Sequence, residues 1–182
     1  MFQKSKSIAV LLDVAPYDFN GKRSVDVVKK QLVKFVQMAL DEEDLFYLYS
    51  PAEVEMLDHQ GDQIGSIGNY DTDGYKIQDL SLAFKQTYYI AAAQDEDSRR
   101  AVCYITNRFS KKDSFSLKKL FSLSRTLNDL EEPCEILVVA IGDKVDKALL
   151  TTMCEEQASL MWLSDPNDLN KELQSYFESE EA

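Results

Sequence analysis

Asp13 closes the apolar run Ser7-Ile8-Ala9-Val10-Leu11-Leu12. An acid at the end of a buried strand sits where open α/β sheets gather their chemistry, at the carboxyl edge. Asp18, Asp71, Asp73 and Asp143 lie in segments predicted to reach the same edge. Clustered carboxylates hold divalent cations, and paired cations assist in-line displacement at phosphorus. The polar residues that should accompany Asp13 for metal work are missing, however: Ala15 is apolar and Tyr17 is bulky. Arg108, Lys111 and Lys112 are the nearest groups for a phosphate and read as a solvated loop.

Other chemical signals are weaker. Asn69-Tyr70-Asp71-Thr72-Asp73-Gly74 places oxygens at alternate positions before a turn glycine, like the opening of a calcium loop. Its twelfth position is Leu80 rather than Glu, so it reads as a polar turn before a helix. His59 is the only histidine and reads as a surface turn residue. Gly61, Gly65 and Gly68 lack the Lys-Ser/Thr of a phosphate loop.

The elements that must position these groups follow from periodicity. Apolar runs predict strands over 7–12, 45–49, 54–57, 101–106, 136–141 and 159–163. Helical spacing predicts helices over 25–40, 77–93, 115–130 and 145–154, with a last helix opened by Asp165-Pro166. Asn20-Gly21 marks a turn, and Ser24 is placed to cap the first helix. Alternating strands and helices predict a doubly wound, Rossmann-like α/β fold: a mostly parallel six-stranded sheet with helices on both faces.

The chain has 182 residues, 45% hydrophobic and 29% charged, with a net charge of −12. That fits one globular domain, expected over 1–178 with an acidic tail at 179–182. The acidic balance opposes backbone binding to nucleic acid. No apolar stretch is long enough for a bilayer, so no membrane role is expected. Three scattered cysteines, Cys103, Cys134 and Cys154, predict reduced buried thiols and a cytoplasmic protein.

Over nearly its whole length the chain resembles a von Willebrand factor A domain. The resemblance rests on Ile8-Ala-Val-Leu-Leu-Asp13, Leu45-Phe-Tyr-Leu-Tyr-Ser50, Ala101-Val-Cys-Tyr-Ile-Thr-Asn107, Ile136-Leu-Val-Val-Ala-Ile-Gly142 and Met161-Trp-Leu-Ser-Asp165. It implies one antiparallel edge strand in the sheet and a protein-binding role. It also implies a divalent cation held by Asp-x-Ser-x-Ser, a loop Thr and a late Asp. Here only Asp13 is kept; Ala15 and Tyr17 replace the serines, Asn107 replaces the late Asp, and Thr72, Tyr75 or Lys76 falls at the threonine.

The expectation is therefore a degenerate metal site, with no bound metal or cofactor and no enzymatic activity. Lys76 is placed to substitute for the cation beside Asp13. Another protein is the expected partner, met by Asp13, Tyr17, Phe19, Thr72, Tyr75, Lys76, Asn107 and Phe109 on the carboxyl edge. Exposed aromatics there suit an interface, although they could equally pack down and close the site. The alternatives are a Mg²⁺-dependent version of the same domain, with Asp13 and Thr72 as ligands, and a metal-dependent nuclease of the PIN/NYN type.

Overall fold

The structure, a computed structural model, describes residues 5–49, 54–57, 76–92, 98–129 and 134–179. Strand β1 (Lys6–Asp13) is buried at every position. A small hairpin follows, β2 (Asp18–Phe19) against β3 (Lys22–Arg23). Its turn is Asn20-Gly21, with φ of 51° and 80°. Two consecutive left-handed residues make the tight turn that Asn-Gly favours. The turn is legible in Asn20-Gly21, but strands of two residues carry no periodicity and only the turn is expected here.

Helix α1 (Ser24–Ala39) buries Val25, Val28, Leu32, Phe35 and Val36 along one side. Ser24 does not cap it as expected: Arg23 holds the cap position without a side-chain bond. The Ser24 hydroxyl instead donates back to the Tyr17 carbonyl, tying the hairpin shut.

Strands β4 (Leu45–Tyr49) and β5 (Val54–Leu57) come next, then α2 (Leu80–Ala92). Helix α2 begins three residues later than the periodicity of Ile77 implied. The Asp79 carboxylate accepts from the amides of Ser81 and Leu82 and so fixes the helix start. Strand β6 (Arg99–Thr106) leads to a 3₁₀ turn at Lys111–Asp113 and to α3 (Ser114–Asp129). Strand β7 (Glu135–Ile141) precedes α4 (Lys147–Cys154), which Asp146 caps through the Leu149 amide. Strand β8 (Ser159–Leu163) precedes a 3₁₀ turn at Pro166–Asp168 and α5 (Leu169–Glu178).

The sheet order is β5-β4-β1-β6-β7-β8. β5 pairs antiparallel with β4, and every other pairing is parallel. Alternate residues of β1 feed opposite cores. Ile8, Val10 and Leu12 pack with α1 and α5. Ala9 and Leu11 pack with residues of α2, α3 and α4. All three cysteines are free and buried. Among the described residues no helix is long and apolar enough to cross a membrane.

Candidate functional site

Chain order reverses between β1 and β6, which lie side by side at the centre of the sheet. At such a switch point the connections leave in opposite directions and open a crevice at the carboxyl ends. The last paired residues of the two strands are Asp13 and Thr106. Everything that follows Thr106 is therefore set directly against everything that follows Asp13.

Asp13 is 1% exposed. Its Oδ1 accepts from Arg108 Nη2 at 2.9 Å and Nε at 3.3 Å. Its Oδ2 accepts from the Tyr104 hydroxyl at 3.3 Å. Burial pushes the Asp13 carboxyl above its ordinary range, opposed by Arg108, by the charge of Lys76 and by Tyr104. The guanidinium is thus the principal counter-charge of a carboxylate that solvent hardly reaches.

The turn carrying Arg108 is held from both sides. The Thr106 hydroxyl donates to the Arg108 carbonyl at 2.7 Å and accepts from the Arg108 amide at 3.1 Å. The Asn107 carboxamide turns to the other chain segment, where it accepts from the Ala15 amide at 2.7 Å and donates to the Ala15 carbonyl at 2.8 Å. The Phe109 amide donates to Lys144 O, and the Phe109 carbonyl accepts from the Asp146 amide. These bonds fasten the loop after β6 to the loop after β7.

Three expectations are corrected. Lys76 does not sit on Asp13; its ammonium pairs with Asp113, which also caps the turn through the Ser110 amide. The residue on Asp13 is Arg108, which had read as part of a solvated loop. Phe109 is not an exposed contact either: it is 2% exposed and packs in the core beneath α3 and α4. The only sequence signal for Arg108 was a base two residues beyond a strand end adjacent to β1.

Tyr17 remains exposed and Phe19 is half-buried. They flank a cleft of about 140 Å³ that also meets Asp18, Asn107, Asp143 and Lys144. Thr72, Tyr75, His59 and the acids Asp71 and Asp73 lie outside the described residues.

Among the described residues the donor set does not suit a hard cation, which needs several free oxygens in close geometry. Asp13 is occupied by Arg108, Asn107 by the Ala15 main chain, and Ala15 offers no side-chain oxygen. Among the described residues, no three His, Cys, Asp or Glu side chains gather into a metal-binding group.

The strand order, the antiparallel edge strand and the Asp13 crevice define a von Willebrand factor A-type fold. Among solved structures, the chain is similar to the von Willebrand factor type A protein from Catenulispora acidiphila. The TM-score is 0.65 at 10% identity, covering 96% of this chain and 42% of that one. It is also similar to proximal thread matrix protein 1 from the mussel byssus, a structure with a zinc-occupied MIDAS motif. There the TM-score is 0.62 at 11% identity, covering 96% and 45%. The chain therefore spans less than half the length of either protein. No family model matches the sequence, and no curated protein matches it.

Proposed function

We propose that this chain is a non-catalytic protein-binding domain of von Willebrand factor A type that works without a metal ion. The observation that carries the reading is the Arg108–Asp13 pair at 2.9 Å. A fixed guanidinium supplies the positive charge that an exposed strand-end carboxylate would otherwise seek from a cation. Partner contact falls to Tyr17 and Phe19 around the adjoining cleft, with Asp18, Asp143 and Lys144 at its rim. An aromatic centre with a charged rim is the composition of a protein interface. Three buried free thiols support a reducing, cytoplasmic setting. The acidic net charge of −12 favours a protein over a nucleic acid as partner.

Thermal unfolding in Mg²⁺, Mn²⁺, Ca²⁺ and Zn²⁺, with Asp13→Ala as control, tests the metal-free reading. The expected result is no ion-dependent rise in Tm. A rise seen in the wild type and lost in Asp13→Ala would overturn it, and Mn²⁺-dependent nucleic-acid cleavage lost in Asp13→Asn would replace it with a nuclease. Affinity capture with wild type and Tyr17→Ala tests the surface. A partner retained equally by both would place the contact elsewhere.

A further inference from the structure

Charge is unevenly distributed over this molecule. The chain holds 32 acids against 20 bases. Helix α2 nevertheless contains no acid, and α3 contains one, Asp129, at its last residue. Exposed cations stand on both helices: Lys85 on α2, and Lys118, Lys119 and Arg125 on α3. No described carboxylate stands within ion-pair distance of any of the four. Asp79, just before α2, has its carboxyl lowered first by the Ser81 hydroxyl and in part by the charge of Lys119.

Two large apolar groups are exposed on the same two helices, Phe115 within the cation-lined cleft and Leu82 three residues before Lys85. Phe115 is 68% exposed and Leu82 is 51% exposed. Along α3 the positions 115, 118, 119, 122 and 125 recur at helical spacing and share one face. Two shallow clefts run along that face. One of about 340 Å³ lies between α2 and α3, against Lys85, Phe115 and Lys119. The other, about 290 Å³, lies between α3 and α4, beside Arg125 and Met153. Lys118 and Ser122 line both, so the clefts adjoin across α3. The Lys119 ammonium stands 4.8 Å from the centre of the Phe115 ring.

We infer that this face of α2 and α3 docks an acidic segment of a partner protein in which carboxylates alternate with apolar side chains. The carboxylates meet Lys85, Lys118, Lys119 and Arg125, and the apolar side chains cover Phe115 and Leu82. The surface is separate from the cleft at Tyr17, so the inference does not depend on how that cleft is used. Shape and charge together favour a peptide over an anionic membrane. A plane of lipid headgroups would meet the field of the whole chain, whose net charge is −12. A segment lying in the groove meets chiefly the local cations, because the Debye length at physiological salt is about 8 Å.

A displayed random-peptide library, panned in parallel on the wild type and on the Lys118→Glu/Lys119→Glu variant, tests this. Both lysines are exposed, so the variant keeps its fold, which its Tm verifies. Wild type is expected to select peptides rich in Asp and Glu with interspersed Leu and Phe. Affinity for those peptides should fall about tenfold in the double variant, as for two partly exposed charges reversed together. It should also fall with added salt and in Phe115→Ala, and stay unchanged in Tyr17→Ala. Selected peptides without acid enrichment, or binding the double variant equally well, would overturn the inference. So would binding to phosphatidylserine vesicles with no acidic peptide selected.

Discussion

The Asn107 carboxamide pairs with the main chain of Ala15 as one strand pairs with its neighbour, giving a hydrogen bond and receiving one at 2.8 Å and 2.7 Å. The β1–β6 ladder ends at Asp13 and Thr106, so this side chain adds one further rung beyond it. Asn107→Ala removes the rung and leaves the buried Ala15 amide without a partner, while the Ala15 carbonyl keeps its bond from the Tyr17 amide. The expected loss is about 1–3 kcal/mol, the penalty for one unsatisfied buried group. Asn107→Asp keeps the acceptor but sets a carboxylate against the Ala15 carbonyl, and should also destabilise. Denaturant titration of both variants checks this; a midpoint unchanged in Asn107→Ala would mean the rung is dispensable.

Removing the guanidinium from Asp13 should cost far more than removing the carboxylate from Arg108. Asp13 has a side chain 1% exposed, whereas that of Arg108 is 22% exposed and reaches water. Arg108→Met therefore strands a buried charge, at a cost of about 3–5 kcal/mol near neutral pH. Asp13→Asn should change stability much less, and adding it to Arg108→Met should restore most of the loss. A double-mutant cycle measures this directly.

The same pair sets a pH dependence. The folded Asp13 carboxyl titrates above its ordinary value of 3.8 because burial outweighs its partners. The folded state then holds its proton more tightly than the unfolded chain. Asp13's contribution to stability is fully present below about pH 3.8 and is lost as pH rises through the folded value. Arg108→Met raises that value further, so its deficit should shrink on acidification. Stability curves of wild type and variant that stay parallel from pH 7 to about 4 would contradict the assignment.

Phe109 and Tyr17 should separate cleanly. Phe109→Ala opens a cavity in the core beneath α3 and α4 and should cost about 3–5 kcal/mol. Tyr17→Ala removes an exposed ring, 42% accessible, and should shift stability by less than about 1 kcal/mol. Thermal or chemical unfolding of the two variants tests the contrast.

The thiols give a probe of opening. Burial pushes the Cys134 thiol up to about 12 and the Cys154 thiol up to about 11, and raises Cys103 as well. A neutral buried thiol is a poor nucleophile. Reaction with a disulfide reagent at neutral pH should be slow in the native protein and should accelerate only with denaturant. A fast phase without denaturant would reveal a local opening around one of the three.

How far the sequence spoke depended on the range over which each feature is decided. Strand β8 matched its predicted bounds, and β7 differed by one residue, because Ile136-Leu-Val-Val-Ala-Ile and Ser159-Leu-Met-Trp-Leu are local apolar runs. The start of α2 was misplaced because Ile77 fits the helical period while Asp79 determines the cap. Asp13 was legible as a strand end. Its partner was not, since Arg108 lies 95 residues away and meets it only through the adjacency of β1 and β6. Phe109 misled for the same reason: its neighbour Val145 belongs to another loop, and nothing local marks their bridge.

Strand β1 is hydrogen-bonded to β4 on one side and β6 on the other. Amides in such a strand exchange with solvent only when the whole sheet opens, whereas a loop exchanges through small local excursions. Asp13 is thus carried on a segment expected to be among the slowest to exchange, and Arg108 on a turn, with its side chain 22% exposed. The pair joins a central strand to a turn that Thr106, Asn107 and Phe109 hold in place. Uncovering the carboxylate therefore means breaking both the ion pair and the bonds that hold this turn.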